Sequence, residues 1–276
     1  MGNIQVIDSF IEGKISPEKC EDAYVVTEDF VAVIDGVTSK TPFEHKGKTT
    51  GRLGSEIVSE VIRNIKADAN ITEINQAVNE AFEQFYEKVD FPYDPYVEEL
   101  QAAAIIYSRH HHTIWLIGDC MGLSNGLFMS NPKRSDVVLE VLRSLLWWFN
   151  HERSDVLKYD PDQSDRGREI VTPWDTQARQ FCNDDSTPFG YSVFNGEMIP
   201  ESLIKTYKLD DSMTEIALCS DGYPKIFDTL EETEAYLQKV LEEDPNSVDI
   251  NPRQKGILPG QKNYDDRTYI SFQVKR

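Results

Sequence analysis

The sequence predicts an α+β fold in which β-sheets pack together and helices cover them from outside. Strand-like runs of β-branched and aromatic residues occur in two groups along the chain. A pair of amphipathic helices lies between the groups, and a further helical segment follows. This order differs from the regular strand–helix alternation of parallel α/β folds and favours separate sheet and helix layers.

The size and charge of the chain indicate its domain organisation and exclude some kinds of partner. We interpret the 276 residues as one domain spanning residues 1–276, and the 39% hydrophobic and 28% charged residues favour a packed core. The 28 basic and 48 acidic residues give a net charge of −20, which disfavours nucleic acids and anionic membranes as partners. Such a protein needs a cation to hold a phosphate substrate, although the same charge also serves solubility.

Neither the cysteines nor the apolar segments indicate an exported or membrane protein. The four cysteines form no C-x-x-C pair, which favours reduced thiols and a cytoplasmic location. Residues 1–10 lack the basic and apolar regions of a signal peptide. The most apolar stretch, residues 137–149, is too short to cross a bilayer core of about 30 Å and predicts a buried helix.

The first predicted elements are a hairpin and two helices. Residues 24–27 and 30–34 are strand-like runs separated by a two-residue turn. From Gly51 onward, apolar residues recur with the period of an amphipathic helix. A second helix follows, and Thr72 is predicted to cap its start.

The later part of the chain is predicted to contain further strands and a helix. Strands are predicted at residues 102–108 and 113–117, and the run 109–112, with three histidines, is interpreted as a solvated loop. Residues 150–188 are polar and aperiodic, which indicates an insertion or lid. The remaining predictions are a strand, a helix and a strand at residues 215–219, 231–241 and 268–274.

The hairpin register brings two aspartates together. If Glu28 and Asp29 form the turn, Asp22 faces Asp35 across the strand pair, whereas a longer loop would shift this register. Opposed side chains have Cβ atoms about 5 Å apart, so two ionised carboxylates there destabilise one another unless a cation lies between them. The pairing therefore predicts a cation site.

Other acidic residues also follow or precede strands. Asp35-Gly36 and Asp221-Gly222 each close an apolar run, and such a glycine lets its own carbonyl approach a cation, although an Asp-Gly pair is often only a turn. Asp119 follows another predicted strand, and Asp265 with Asp266 precedes the last. A set of oxygen ligands without cysteine or histidine suits magnesium or manganese.

The order of these motifs resembles the metal-dependent protein phosphatases, the type 2C serine/threonine phosphatases, in a divergent bacterial-like form. Glu21-Asp22-Ala23, Asp35-Gly36, Gly118-Asp119, Ser220-Asp221-Gly222 and Asp265-Asp266-Arg267-Thr268 follow one another in the chain. The resemblance covers residues 4–126 and 187–274, and residues 127–186 form a divergent insertion. It implies a four-layer α-β-β-α sandwich of two antiparallel sheets flanked by helices.

The resemblance also implies a metal centre with two, or with a third weaker site three, Mg²⁺ or Mn²⁺ ions. Asp35 would bridge two metals, with the Gly36 carbonyl, Asp22 and Glu21 at one of them. Asp221 and Asp265, or Asp266 in place of Asp265, would hold the other metal, and Asp119 would help the third. Asp35, Asp22 and Asp221 would thus carry the catalysis, in which a metal-activated water attacks phosphorus in line.

The sequence departs from the family at the residue that grips phosphate. The family has an arginine four residues before the Glu-Asp pair, and this chain has Pro17 there. Lys19 and Lys40, with Lys14 nearby, are the predicted replacements, although a lysine is a point charge where arginine binds bidentately. The alternative is that all three are surface lysines without a role in binding. Further candidates are Arg166 and Arg179 in the insertion for phosphate binding and His45 as a general acid.

The residues leave three functions open. The first is a protein serine/threonine phosphatase, and the second is a phosphatase of small metabolites. The third is a weakly active or inactive phosphatase-like scaffold that binds a partner through residues 127–186. Pro17, at the position of the family's phosphate-binding arginine, favours this hypothesis.

Overall fold

The computed structural model describes residues 4–94, 97–152 and 165–275, and for His151 and Glu152 it describes the backbone alone. The strands are β1 (Ile4–Glu12), β2 (Ala23–Val26), β3 (Phe30–Gly36), β4 (Ala102–Ser108), β5 (Thr113–Ile117), β6 (Met121–Ser124), β7 (Leu127–Met129), β8 (Lys205–Lys208), β9 (Glu215–Cys219) and β10 (Arg267–Val274). The helices are α1 (Thr50–Asn64), α2 (Ile71–Lys88), α3 (Arg134–Glu152), α4 (Arg166–Gln177) and α5 (Leu230–Glu243).

The strands form two five-stranded antiparallel sheets. One has the order β1-β10-β9-β6-β7 and the other β2-β3-β4-β5-β8. Buried residues from both sheets, among them Val33, Leu218 and Phe272, pack into one cluster between them. The predicted α+β architecture of two antiparallel sheets with flanking helices is confirmed.

Strand β3 shows why this sequence occupies the centre of the sandwich. Successive side chains of a strand point to opposite faces. Val31 and Val33 belong to the cluster between the sheets, whereas Ala32 and Ile34 belong to a second cluster with α1 and α2. Because both faces are covered, the strand is a continuous apolar run up to Asp35.

Helix α5 packs on the outer face of the other sheet. Leu237 of α5 lies in a third buried cluster with Ala217 and Tyr269. Helices α3 and α4 form a separate pair, in which Gly167 lies so near the α3 backbone that a Cβ there would sit 2.8 Å from the carbonyl oxygen of Arg143. The end of β3 and the segments after β5, after β9 and before β10 line one common cavity.

Several local predictions were wrong. The second helix begins at Ile71 and its cap is Asn70, not Thr72, whose hydroxyl contacts Glu201 instead. The histidine run is not wholly solvated, because His112 is buried and its ring contacts the Tyr107 hydroxyl at 2.9 Å. A turn alone does not reveal which of its side chains folds back onto the sheet.

Residues 137–149 do form a helix, as part of α3, but the helix is not buried throughout. Val138, Val141, Leu145 and Phe149 are among its exposed side chains. None of the helices in the described ranges is long and apolar enough to cross a membrane.

The structure also contains elements that the sequence patterns did not indicate. These are β1, β6, β7 and β8, together with α4 inside the predicted polar insertion. The parts of the predicted insertion and of the N-terminal prediction that fall at 153–164 and 1–3 lie outside the described residues.

Candidate active site

The first part of the site is the β2–β3 hairpin. Ala23 pairs with Ile34 and Val26 with Val31, and the Thr27 N–H donates to the Phe30 carbonyl at 2.9 Å, so the predicted two-residue turn and register are confirmed. The two aspartates flank the last of these pairs. Burial raises the pKa of Asp35, and among the neighbouring charges Asp22 adds most to this effect.

Asp22 is held in a buried position with one free oxygen. Its Oδ2 accepts hydrogen bonds from the Ser220 hydroxyl at 2.7 Å and from the Thr268 hydroxyl at 2.8 Å. Its Oδ1 is buried and has no hydrogen-bond partner among the described residues. Burial, with Asp266 nearby, raises the pKa of Asp22 to about 8. A buried carboxylate oxygen without a partner is costly, so this atom calls for a ligand.

Asp35 is the centre of the acidic cluster. Burial raises its pKa well above the usual range, and four aspartates add to this effect: Asp22, Asp221, Asp265 and Asp119. Asp35 lies in β3, and the other four come from the segment before β2 (Asp22), the turn after β5 (Asp119), the segment after β9 (Asp221) and the segment before β10 (Asp265). Asp35, Asp119, Asp221 and Asp265 line one cavity of about 440 Å³. Carboxylates this close together need either protons or cations.

Glycines allow the backbone to close tightly around this cluster. A Cβ on Gly36 would lie 2.2 Å from the carbonyl oxygen of Gly51 and 2.6 Å from that of Glu21. The end of β3 therefore touches the first turn of α1, and a side chain at position 36 would force them apart. Glu21 is buried beside this contact, and its Oε1 accepts a hydrogen bond from the Thr49 hydroxyl at 2.6 Å. Burial raises the pKa of Glu21.

Asp265 and Asp266 have different surroundings. Asp266 accepts the backbone N–H of Lys14 at 2.7 Å and that of Glu21 at 2.8 Å, so it ties the β1–β2 connection to β10. Asp265 lines the cavity and pairs with Lys14 at 2.8 Å and Lys255 at 3.3 Å. Burial alone would raise the pKa of Asp265, but Lys255, Lys14 and Arg253 hold it well below its usual range.

Lys14 is the buried cation of the site. Its ammonium group contacts Asp265 and the Thr38 hydroxyl, each at 2.8 Å, and lies 3.5 Å from Glu21. Burial alone would lower the pKa of Lys14, but Asp265, Asp266 and Glu21 outweigh it and raise the pKa. Lys14 therefore stays charged and neutralises part of the acidic cluster.

Two more aspartates of the cluster carry their own basic partners, which sequence reasoning missed. Arg253 donates to Asp221 Oδ2 at 2.7 Å, and Lys133 lies 3.1 Å from Asp119. For Arg253 the sequence offered a weak signal, because Arg253 and Lys255 lie shortly before the Asp265 motif in an otherwise acidic chain. Lys133 gave no local signal, because only the fold brings the start of α3 to the cavity.

The residues predicted to grip phosphate are dispersed. Lys40 lines the cavity and pairs with Asp175 at 3.2 Å, whereas Lys19 is exposed and is not part of the described lining. Arg179 donates to the Val97 carbonyl, and Arg166 likewise does not line the cavity; its neighbour Arg168 does. His45 packs edge-on against Phe85, away from the described lining.

Cys120 and Cys219 are buried beside the aspartates. Burial raises the pKa of both thiols well above their ordinary value, and the nearby aspartates add to this. A thiol that holds its proton is a weak nucleophile. Neither cysteine is therefore suited to thiolate chemistry.

The arrangement fits a hard divalent cation at Asp22 and Asp35. The donor atoms of these residues are all oxygens, which such a cation prefers. The buried Oδ1 of Asp22 has no hydrogen-bond partner among the described residues and is therefore available to a cation. Within the described ranges, no three His, Cys, Asp or Glu side chains are grouped as a ready-made metal cluster. The basic partners of Asp119, Asp221 and Asp265 occupy part of the space between the carboxylates.

Comparison with known proteins rests on structure alone, since no protein-family model and no curated protein matches the chain. The catalytic domain of the serine/threonine protein phosphatase PstP, solved with two manganese ions, has a TM-score of 0.52 at 13% identity, and the match covers 100% of both chains.

Two further solved structures have lower TM-scores. PstP/Ppp of Mycobacterium tuberculosis has a TM-score of 0.49 at 14% identity, covering 99% of this chain and 100% of that chain. Stp1 of Staphylococcus aureus has a TM-score of 0.49 at 12% identity, covering 100% of this chain and 96% of that chain. The chain thus has the fold of the PstP catalytic domain, as the motif resemblance implied.

Proposed function

We propose that this chain is a metal-dependent phosphomonoesterase, a bacterial-like protein serine/threonine phosphatase of the type 2C family. The observation that carries the proposal is the pair of Asp22, with its unpartnered buried oxygen, and Asp35, which lines a cavity together with Asp119, Asp221 and Asp265. The fold shared with the PstP catalytic domain supports it. We propose a single domain over residues 1–276, with residues 127–186 as its insertion.

Seven residues would hold two or three Mg²⁺ or Mn²⁺ ions. Asp22, Glu21, Asp35 and the Gly36 carbonyl would serve one ion, and Asp35, Asp221 and Asp265 the other. Asp119 would help a third. The two manganese ions of the PstP structure support a binuclear centre. Such ions would supply a water of lowered pKa and charge stabilisation for the oxygens of an in-line displacement.

The protein's own residues hold these carboxylates in place. Ser220 and Thr268 hold Asp22 through its Oδ2, and the buried Oδ1 has no hydrogen-bond partner among the described residues. Asp266 fixes the backbone at Lys14 and Glu21, and Lys14 in turn holds Asp265. The rigid set reduces the reorganisation that binding a cation requires.

The test is hydrolysis of a generic aryl phosphate by the purified chain. We expect activity with added Mn²⁺ and none after chelation. Asp35→Asn should lower the rate at least about 100-fold, since even partners of metal ligands cost about 10- to 100-fold. Asp175→Asn is the matched control, because Asp175 lines the same cavity but pairs with Lys40 at its edge.

A second readout does not depend on turnover. A ligand that binds the native state raises the melting temperature, so Mn²⁺ should stabilise the wild type and Asp175→Asn but not Asp35→Asn. Equal hydrolysis with and without metal would refute the proposal. Metal-induced stabilisation without turnover on any phosphopeptide would favour the scaffold function instead.

The nature of the substrate also belongs to the proposal. We propose phosphoproteins in the cytoplasm, with neither nucleic acid nor membrane as partner, in keeping with the net charge of −20. Comparing phosphopeptides with phosphorylated metabolites separates this from the small-molecule alternative. The exposed apolar side chains of α3, such as Val141 and Phe149, are consistent with a partner surface within residues 127–186.

A further inference from the structure

Phosphate binding in this chain needs a basic residue other than the one at the family's position. Pro17 lies there, in a short 3₁₀ turn (Pro17–Lys19) that is not part of the described cavity lining. The basic side chains that do line the cavity are Lys40, Lys133, Arg168, Arg253 and Lys255. They differ in how firmly the structure holds them and in how many hydrogen-bond donors they keep available.

Arg253 reaches the acidic centre with donors to spare. Its guanidinium donates to the Asp221 carbonyl and to Asp221 Oδ2, both at 2.7 Å, and lies 4.5 Å from the centre of the Tyr264 ring. These are its two hydrogen bonds to described residues, so three of the five N–H donors of a guanidinium remain. The side chain is 14% exposed, which leaves it accessible from the cavity.

The loop that carries Arg253 is braced from both sides. Asp244 accepts the backbone N–H groups of residues 248–251 at 2.9 to 3.2 Å. The buried Arg143 of α3 donates to the carbonyls of Asn246, Ser247 and Arg253 at 2.7 to 2.9 Å. Arg253 also donates its own N–H to the Ser247 carbonyl. Both backbone groups of Arg253 are thus held, so its position is preorganised.

The other basic residues are less suited to grip phosphate. Lys133 contacts Asp119 and Asp136, and Lys40 is 41% exposed and pairs with Asp175. A lysine presents a point charge, whereas arginine binds two phosphate oxygens at once. Arg168 lies on α4 with its side chain half-buried. Its donors are available, but no hydrogen bond ties its guanidinium to the described carboxylates of the cavity, so its position is not preorganised as that of Arg253 is.

We propose that Arg253 binds the phosphate group of the substrate, with Lys255 beside it, and so takes the role that Pro17 leaves vacant. The inference rests on the proposed phosphatase function. The chain has moved its phosphate-binding arginine from the β1–β2 connection to the braced loop between α5 and β10. The bond to Asp221 ties the phosphate-binding residue directly to the acidic centre.

The experiment measures the binding of inorganic phosphate to the Mn²⁺-loaded protein by calorimetry. Arg253→Gln should weaken phosphate binding about tenfold or more, because hydrogen bonds from a charged group are the strong ones. Arg253→Lys should lose part of that affinity. Arg168→Gln removes the same charge from the same cavity and should bind phosphate close to the wild type. Mn²⁺ affinity and the melting temperature are measured for each variant.

Three results would overturn the inference. If Arg253→Gln and Arg168→Gln lowered the affinity for phosphate equally, the effect would be one of general charge and not of Arg253. A fall in Mn²⁺ affinity with unchanged phosphate binding would make Arg253 a positioning residue for Asp221. Wild-type phosphate binding in Arg253→Gln, with an active wild type, would refute the inference alone. Absence of Mn²⁺-dependent hydrolysis by the wild type refutes the proposed function, whereas the phosphate titration judges Arg253 separately.

Discussion

At the scale of single residues, the site combines carboxylates that are driven toward protonation with carboxylates that basic groups keep ionised. Glu140 of α3 lines the cavity and illustrates the first kind. Burial raises its pKa to about 8; Arg253 opposes this, while Asp136 and Asp221 add to it. The opposite case is Asp265, whose pKa is held low by Lys255 and Lys14.

Glu140 predicts a specific pH dependence of stability. An ordinary glutamate has a pKa of about 4.3, so between that value and about 8 the native protein holds a proton that the unfolded chain has lost. The stability contributed by this proton declines as pH rises toward 8. Because an amide does not titrate, Glu140→Gln should raise the melting temperature relative to wild type more at high pH than at low pH.

The measurement is thermal unfolding in chelator on either side of this pH range. Glu169→Gln, at an exposed position of α4, is the matched control and should show no such trend. An equal shift for Glu140→Gln at both pH values would contradict the prediction.

At the scale of elements, the start of α2 shows how local and tertiary signals differ. Asn70 accepts the Glu73 N–H at 3.0 Å, and Glu73 accepts the Asn70 N–H at 2.9 Å, which is a complete capping box. Thr72, the predicted cap, already lies within the helix, and its hydroxyl contacts Glu201. Two polar residues near a helix start are hard to rank without the backbone geometry.

The capping box predicts unequal effects of two substitutions. Asn70→Ala should lower the free energy of unfolding by about 1 kcal/mol, because it leaves the Glu73 N–H without its side-chain acceptor. Thr72→Ala should cost less, since it removes one hydrogen bond between exposed side chains. Urea unfolding of both variants measures the difference. A larger loss of unfolding free energy for Thr72→Ala than for Asn70→Ala would instead support Thr72 as the cap, as the sequence predicted.

At the scale of the whole molecule, the layered core and the net charge both affect the stability of the folded state. Two sheets enclose one buried cluster, and their outer faces are covered by helices. The acidic residues that remain at the surface contribute to a net charge of −20, which repels itself in the folded state.

This repulsion predicts that salt stabilises the protein. Raising the ionic strength from about 0.01 to 0.15 M shortens the screening length from about 30 to 8 Å, so the melting temperature in chelator should rise. Sodium chloride and choline chloride should act alike, because screening does not depend on the identity of the cation. A rise with sodium alone would point to site binding, and a fall would mean that ion pairs outweigh the net repulsion.

The sequence by itself determined the central strands, the main helices and the register of the first hairpin. Apolar alternation and turn length are local properties, so the pairing of Ala23 with Ile34 followed from residues 22–35 alone. The order of the five acidic motifs likewise implied the fold. The short edge strands β7 and β8 escaped prediction, since three or four residues carry too little periodicity.

Only the tertiary structure decided which charges meet. Lys14 contacts Asp265 across 251 positions of the chain, and Arg253 contacts Asp221 across 32. Such contacts depend on how the layers stack and on where a loop is braced, and no local pattern encodes either. The strand-end aspartates were therefore predictable as a group, whereas the cations that balance them became visible only when the sheets were packed together.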